Sequence, residues 1–227
     1  MAEIQVTLSA NAGVSVQFGK HRIWVDALHE EKQHGFSAVS EQLYQRVLQS
    51  PAFAAPDYIC VTHCHPDHYS ERMLVNAKQL WANAQLCLPQ METYQVENGE
   101  FTLEFFPLPH EGAQYADVVH CGIIISAGEK NILIAGDCET ASSALMDAVG
   151  ERQVDLAILN FPWVTLSRGR AFLTQKLKPK HILLCHLPFE EDDVGGFRES
   201  AQRSARLLMD MDVRLLCEPL QTEIINI

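Results

Sequence analysis

Residues 61–70 read VTHCHPDHYS, three histidines and an aspartate packed into 63–68, directly after the run Tyr58-Ile59-Cys60-Val61-Thr62. That run is aromatic, β-branched and apolar, which predicts a buried strand. Pro66 cannot donate a backbone hydrogen bond, and on a helix only His65 and His68 would share a face. The cluster is therefore expected in a loop at the carboxyl end of a strand, the edge at which open α/β sheets bind ligands. Neutral imidazole and carboxylate are the ligands of zinc, iron and manganese sites, and a tight turn aims several of them at one point. One ion held by His63, His65, Asp67 and His68 together would leave little room for a substrate. Two ions sharing the cluster would keep open positions, each completed from elsewhere in the chain.

Three further apolar runs end in a residue that can hold a metal: FTLEFFPLPH at His110, NILIAGD at Asp137 and HILLCH at His186. Singly, His110 reads as a loop residue, Asp137 as a helix N-cap and His186 as a solvated turn. Strands that repeatedly finish on a ligand type are better explained by one shared sheet edge.

The rest of the chain reads as one domain over 1–227, with no Pro/Gly/Ser-rich linker, no repeat and no low-complexity segment. QFGKHRIWVDA predicts a hairpin turned at Gly19-Lys20. Val39, Leu43, Val47 and Leu48 recur at helical spacing over 37–49, and Ser70 is a helix cap for a run to about Trp81. Strands are expected at 86–88, 101–106, 118–126 and 131–135, with SAGEKN as the turn between the last two. From residue 140 helices (140–149, 172–178, 197–211) alternate with strands (154–159, 181–185, 213–217), so sheets covered by helices are expected.

With 17 basic and 29 acidic residues the net charge is −12, and no Lys/Arg run could track a phosphate backbone. Nucleic acid is a disfavoured partner. No apolar stretch reaches a membrane-spanning length and the first residues lack a signal-peptide pattern, so no membrane partner and a cytoplasmic location are expected. The seven cysteines form no C-x-x-C pair, and their odd number argues against a closed disulfide framework.

HCHPDH, PLPH, IAGDCE and ILLCH, in that order and at these approximate distances, resemble the metallo-β-lactamase-fold hydrolase superfamily over nearly the whole chain. The resemblance implies a four-layer αββα sandwich with a binuclear centre. One metal would sit on His63, His65 and His110, the other on Asp67, His68 and His186, with Asp137 bridging. FPLPHEG is more similar to the branch of ascorbate-6-phosphate lactonases and tRNA 3′-processing endonucleases than to the antibiotic-hydrolysing or glyoxalase branches, whose Gly-His-Thr-x-Gly segment is absent. The long substrate arm of the tRNA enzymes has no room here, and flavodiiron proteins usually carry Glu in place of His65.

The expected activity is that of a metal-dependent hydrolase. Two divalent ions, zinc by default with manganese or iron accepting the same ligands, would generate a bridging hydroxide that attacks a small, anionic lactone, ester or phosphoester. Asp67 would be the catalytic group orienting that hydroxide. A phosphodiesterase or nuclease, or a metal-bound interaction module without turnover, are the rival readings. Substrate contacts are expected from His29 and His34 in HEEKQHGF. The segment NFPWVTLSRGRAF should add Trp163 as an apolar wall and Arg168 and Arg170, around Gly169, as an anion grip. His120 is the one rival to His110.

Overall fold

The computed structural model describes residues 3–227. In chain order they form β1 (Glu3–Leu8), β2 (Val14–Phe18), β3 (His21–Val25), α1 (Glu41–Gln49), β4 (Tyr58–Cys60), α2 (Glu71–Leu80), β5 (Gln85–Cys87), β6 (Tyr94–Glu97), β7 (Thr102–Pro107), β8 (Cys121–Ala127), β9 (Lys130–Ile134), α3 (Ser143–Val149), β10 (Leu156–Asn160), α4 (Pro162–Thr165), α5 (Ser167–Phe172), β11 (His181–Cys185), α6 (Phe197–Ala205), β12 (Asp212–Leu215) and β13 (Thr222–Asn226). They divide into two compact units: residues 1–88, 185–198 and 216–227, and residues 89–184 and 199–215.

The first unit holds a six-stranded sheet in the order β13-β1-β2-β3-β4-β5. The hairpin is where the sequence places it, with Phe18 opposite His21 across Gly19-Lys20 and Gly19 at φ +58°. A two-residue turn of this kind needs positive φ, which glycine supplies without steric cost. β4 then joins β3 in parallel, Val25 beside Cys60, so both strands deliver their carboxyl ends to the same edge. Trp24 on β3 is fully buried against Phe53 and Trp81, at ring-centroid distances of 5.5 and 5.1 Å. Helix α1 buries Leu43, Tyr44 and Val47, and α2 buries Met73, Leu74 and Ala77. Each large apolar side chain so removed from water contributes about 1.5–3 kcal/mol. Both helices start on a serine cap, Ser40 accepting from the Leu43 N–H and Ser70 from the Met73 N–H, each at 3.2 Å. The first helix thus begins at Glu41, not at residue 37.

The second unit holds a seven-stranded sheet in the order β12-β11-β10-β9-β8-β7-β6. β6 to β9 are paired antiparallel, whereas β9 with β10 and β11 with β12 are parallel. β6 and β13 are strands that the sequence pattern does not predict. Leu133, Ala157, Leu159, Ile182 and Leu184 build its core with Leu145, Val149 and Phe172. The helix expected at 172–178 is α5 followed by a π-helical turn, Leu173–Leu177, that ends on Lys178 at φ +46°. The helix expected to reach residue 211 ends at Ala205, and Met209 beyond it is almost fully exposed.

At the amino end of this sheet Asp155 ties three strands together. Its Oδ2 accepts the Asn131 N–H at 3.0 Å, and its Oδ1 lies 2.7 Å from Lys180 Nζ and 3.4 Å from Lys130 Nζ. In this sheet His110 and Asp137 follow the carboxyl ends of β7 and β9, opposite Asp155; in the first unit His63 follows the end of β4 within three residues, and His186 is the residue after β11. No helix among the described residues is long and apolar enough to cross a membrane.

Candidate metal centre

The first unit brings five of the expected ligands together. His63, Asp67 and His68 are buried, as is His186, while His65 is half-buried. His68 Nε2 stands 4.0 Å from Asp67 Oδ2, and His186 Nε2 stands 3.6 Å from the same oxygen. Ligand atoms from these three residues all lie within 4.8 Å of one another. Around a tetrahedral ion with bonds of about 2.0–2.2 Å, neighbouring ligand atoms are roughly 3.3–3.6 Å apart. His63 Nε2 and His65 Nδ1, 3.1 Å apart, have similar spacing. The donor set and its spacing therefore fit a transition-metal ion.

The imidazoles are oriented by residues that sequence reasoning missed. Asp26, buried just past β3, accepts three hydrogen bonds: Thr62 N–H on Oδ1 at 2.7 Å, and Thr62 Oγ1 at 2.6 Å and His68 Nδ1 at 2.9 Å on Oδ2. His68 must therefore carry its proton on Nδ1, which leaves Nε2 as a lone-pair donor. Thr62 gives its only hydroxyl proton to Asp26, so at its 3.0 Å contact with His63 Nδ1 the imidazole is the donor. His63 thereby also presents a bare Nε2. One carboxylate sets two tautomers, as partners of metal-bound histidines usually do. Asp26, His63 and His68 are also close enough to hold an ion, but the oxygens of Asp26 are already occupied by these donors.

The loop between β1 and β2 supplies the other brace. Asn11 is fully buried at φ +51°, donates from Nδ2 to the Asp67 carbonyl at 3.2 Å and to Asp67 Oδ2 at 3.3 Å, and accepts the His186 N–H on its own carbonyl at 2.8 Å. His186 and Asp26 are likewise left-handed, at φ +58° and +51°. Such conformations cost a non-glycine residue energy and persist where surrounding contacts fix them.

The second unit brings His110 and Asp137 together, with His110 Nε2 3.9 Å from Asp137 Oδ2. Their loops are zipped by Glu111 N–H to Asp137 O and Glu139 N–H to Pro109 O, both 2.8 Å. His110 Nδ1 donates to the Glu111 carbonyl at 2.8 Å, which again leaves Nε2 for a ligand role. Asp137 Oδ1 accepts from Asn160 Nδ2, at the end of β10, at 3.2 Å. His120 is buried with its ring 5.6 Å from that of His110, and its Nδ1 donates to the Leu108 carbonyl at 3.3 Å.

The expected substrate contacts are placed differently. His29 is completely buried and donates from Nε2 to the Ala10 carbonyl at 3.1 Å, so it braces the β1–β2 loop. Burial pushes its pKa down to about 4 against the opposing pull of that hydrogen bond, and the ring is neutral at neutral pH. His34 sits at φ +51° on an exposed turn. That turn is strapped down on both sides: Glu30 accepts from Arg72 Nε at 2.8 Å, and Lys32 Nζ and Ser37 Oγ reach Asp192 at 2.5 and 2.8 Å. Between them Phe36 packs edge-on against His186, centroids 4.4 Å apart.

In the second unit Trp163 has no exposed surface and packs on Phe172 in the core, so it forms no open wall. Pro162 starts α4 directly after β10, and the first turn of that helix points Trp163 inward. Arg170 Nη1 donates to the Val164 and Thr165 carbonyls at 2.6 and 2.9 Å, covering the last turn of α4. Arg168 Nη2 is 2.6 Å from Glu111 Oε1. Gly169 lies in α5, where a Cβ would collide with the Trp163 carbonyl and meet Thr140 Cγ2 at 2.8 Å. Its missing side chain serves helix packing.

No protein-family model and no curated protein matches the sequence. Solved structures do. YhfI from Bacillus subtilis, a metallo-β-lactamase fold protein, is similar at a TM-score of 0.67 and 14% identity, over 99% of this chain and 100% of that one. Igni18, a metallo hydrolase from the archaeon Ignicoccus hospitalis, is similar at 0.63 and 16%, over 99% of both chains. CmlA, a diiron β-hydroxylase from Streptomyces venezuelae, is similar at 0.65 and 12%, over 99% of this chain and 54% of that one. At such identities the likeness speaks for architecture: the chain has the metallo-β-lactamase fold.

Proposed function

We propose that the protein is a metal-dependent hydrolase that uses a two-ion centre on a small lactone, ester or phosphoester. The observation that carries this reading is the convergence of Asp67 Oδ2, His68 Nε2 and His186 Nε2, with the His68 tautomer already set by Asp26. The resemblance assigns His63, His65 and His110 to one ion, the Asp67 set to the other, and Asp137 to both. When bound, divalent ions lower the pKa of water towards 7 and polarise a carbonyl or phosphoryl oxygen. Asp67, held by Asn11, would orient the attacking water, and its carboxylate would take up the proton released. His63, His68 and His110 each turn Nδ1 to an oxygen partner, which leaves Nε2 as the ligand atom. Arg168 and Arg170 are engaged with Glu111 and with backbone carbonyls, so a preference for anions would rest on the charge of the centre.

The test combines elemental analysis with hydrolysis of activated lactones, esters and phosphodiesters. The parent protein should hold close to two transition-metal ions per chain, and Asp67→Asn should lower turnover by about a hundredfold, the effect of losing a general base. Full occupancy with no hydrolysis across the panel, or undiminished turnover in Asp67→Asn, would refute the assignment.

A further inference from the structure

The two aspartates assigned to the centre share an arrangement that the ligand pattern does not require. Each takes the side-chain amide of an asparagine from its own unit: Asn11 on Asp67, Asn160 on Asp137. The amide orientation is dictated by chemistry, because carboxylate and carbonyl oxygens only accept, so the NH2 must face them. The Oδ1 of each asparagine is consequently turned away, buried and without a hydrogen bond from the protein. Buried unsatisfied acceptors cost about 1–3 kcal/mol and are scarce in native proteins. Asn11 also adopts φ +51°, a conformation asparagine tolerates better than most residues. Its turn is braced on both sides, by the His29 hydrogen bond to Ala10 O and by the Ser9 N–H to Gly13 O contact of 2.7 Å. Gly13 is required there, since a Cβ would approach the Asp26 carbonyl to 2.6 Å.

We propose that Asn11 and Asn160 are positioning residues that fix the carboxylate rotamers of Asp67 and Asp137 for metal binding. Asn11 does so for two ligands at once, because its carbonyl also anchors the His186 backbone. An aspartate rotates about two side-chain bonds, and an amide donor selects one orientation: on Asp67 it shares Oδ2, the oxygen that faces His68 and His186, and on Asp137 it holds Oδ1 and leaves Oδ2 facing His110. This role rests on the metal-centre reading of the site.

The test is titration of metal-free parent, Asn11→Gly and Asn160→Ala with Zn2+, repeated with Co2+ to read the ligand field of each step. Asn11→Gly accommodates the left-handed backbone without strain and removes the side-chain amide. Circular dichroism of the metal-free proteins reports whether they are folded. Each variant should weaken an uptake step by roughly ten- to hundredfold, the usual effect of removing a partner of a metal ligand. The Co2+ absorption of that step should shift, which a loss of stability alone would not cause. Should Asn11→Gly fail to fold, Asn160→Ala decides independently. Affinities and spectra equal to those of the parent in either folded variant would overturn the proposal. A parent that takes up neither ion would instead overturn the metal-centre reading.

Discussion

The histidine pattern is visible in the sequence because ligands must be histidines or carboxylates, and few other tasks place HCHPDH after a strand. Asp26, Thr62, Asn11 and Asn160 are not, because a hydrogen-bond partner can be any of several residue types and, Thr62 beside His63 apart, lies far along the chain. Asp26 and His68 are 42 positions apart and Asn11 and Asp67 are 56. Asp26→Asn tests this supporting layer. The amide puts an NH2 where three donors now converge, so at least one contact becomes donor against donor. Metal affinity should fall by roughly ten- to hundredfold. The apo protein should also lose about 1.5–3 kcal/mol for each bond to a charged acceptor that is not replaced, read in a denaturant melt. Unchanged affinity would show that the His68 tautomer is set elsewhere. Trp163, Arg168 and Arg170 are cases of the opposite kind. Proximity to a strand end suggests a place near the site, but helix packing, a carbonyl cap and an ion pair with Glu111 claim those side chains.

Strands are legible where apolar runs are bounded by turn signals, as at Gly19-Lys20 and SAGEKN. β6 and β13 escape that reading because YQVE and TEIIN alternate with exposed polar residues at sheet edges, where little burial shapes the sequence. Asp155 shows what holds the parallel strands in place at the end away from the ligands. Burial raises its pKa, but the Lys180 hydrogen bond, the Asn131 N–H and the two lysine charges together outweigh that and lower it. A carboxyl with a depressed folded pKa contributes stability that is fully present above its unfolded value near 4 and is lost as pH falls through the folded value. The parent should therefore lose stability as pH falls below about 4 more steeply than Asp155→Asn, which should already be weaker at pH 7. Melting temperatures measured across that range decide it. Parallel pH profiles for the two proteins would remove Asp155 as a source of acid sensitivity.

The first unit is assembled from three separated segments of a chain whose net charge is −12. Asp67 and His68 come from its first segment and His186 from its second, so a cation held by all three ties these segments together and neutralises a buried carboxylate. The sequence can show that such ligands exist, but not how native-state stability depends on them, since that is set by which segments they join. A ligand that binds only the folded state stabilises it by RT ln(1 + [L]/Kd), about 2.7 kcal/mol at a hundredfold excess over Kd. For a chain of this size each kcal/mol moves the melting temperature by roughly 2–4 °C. Metal-replete protein should accordingly melt roughly 5–10 °C above protein stripped with a chelator. His186→Ala should lose much of that difference, because it removes the only one of these ligands supplied by the second segment. Measuring both proteins with and without added Zn2+ separates the effect from ordinary destabilisation, since the variant is compared with its own metal-free form. Equal chelator sensitivity in parent and His186→Ala would mean that ion binding does not link the two segments through this residue.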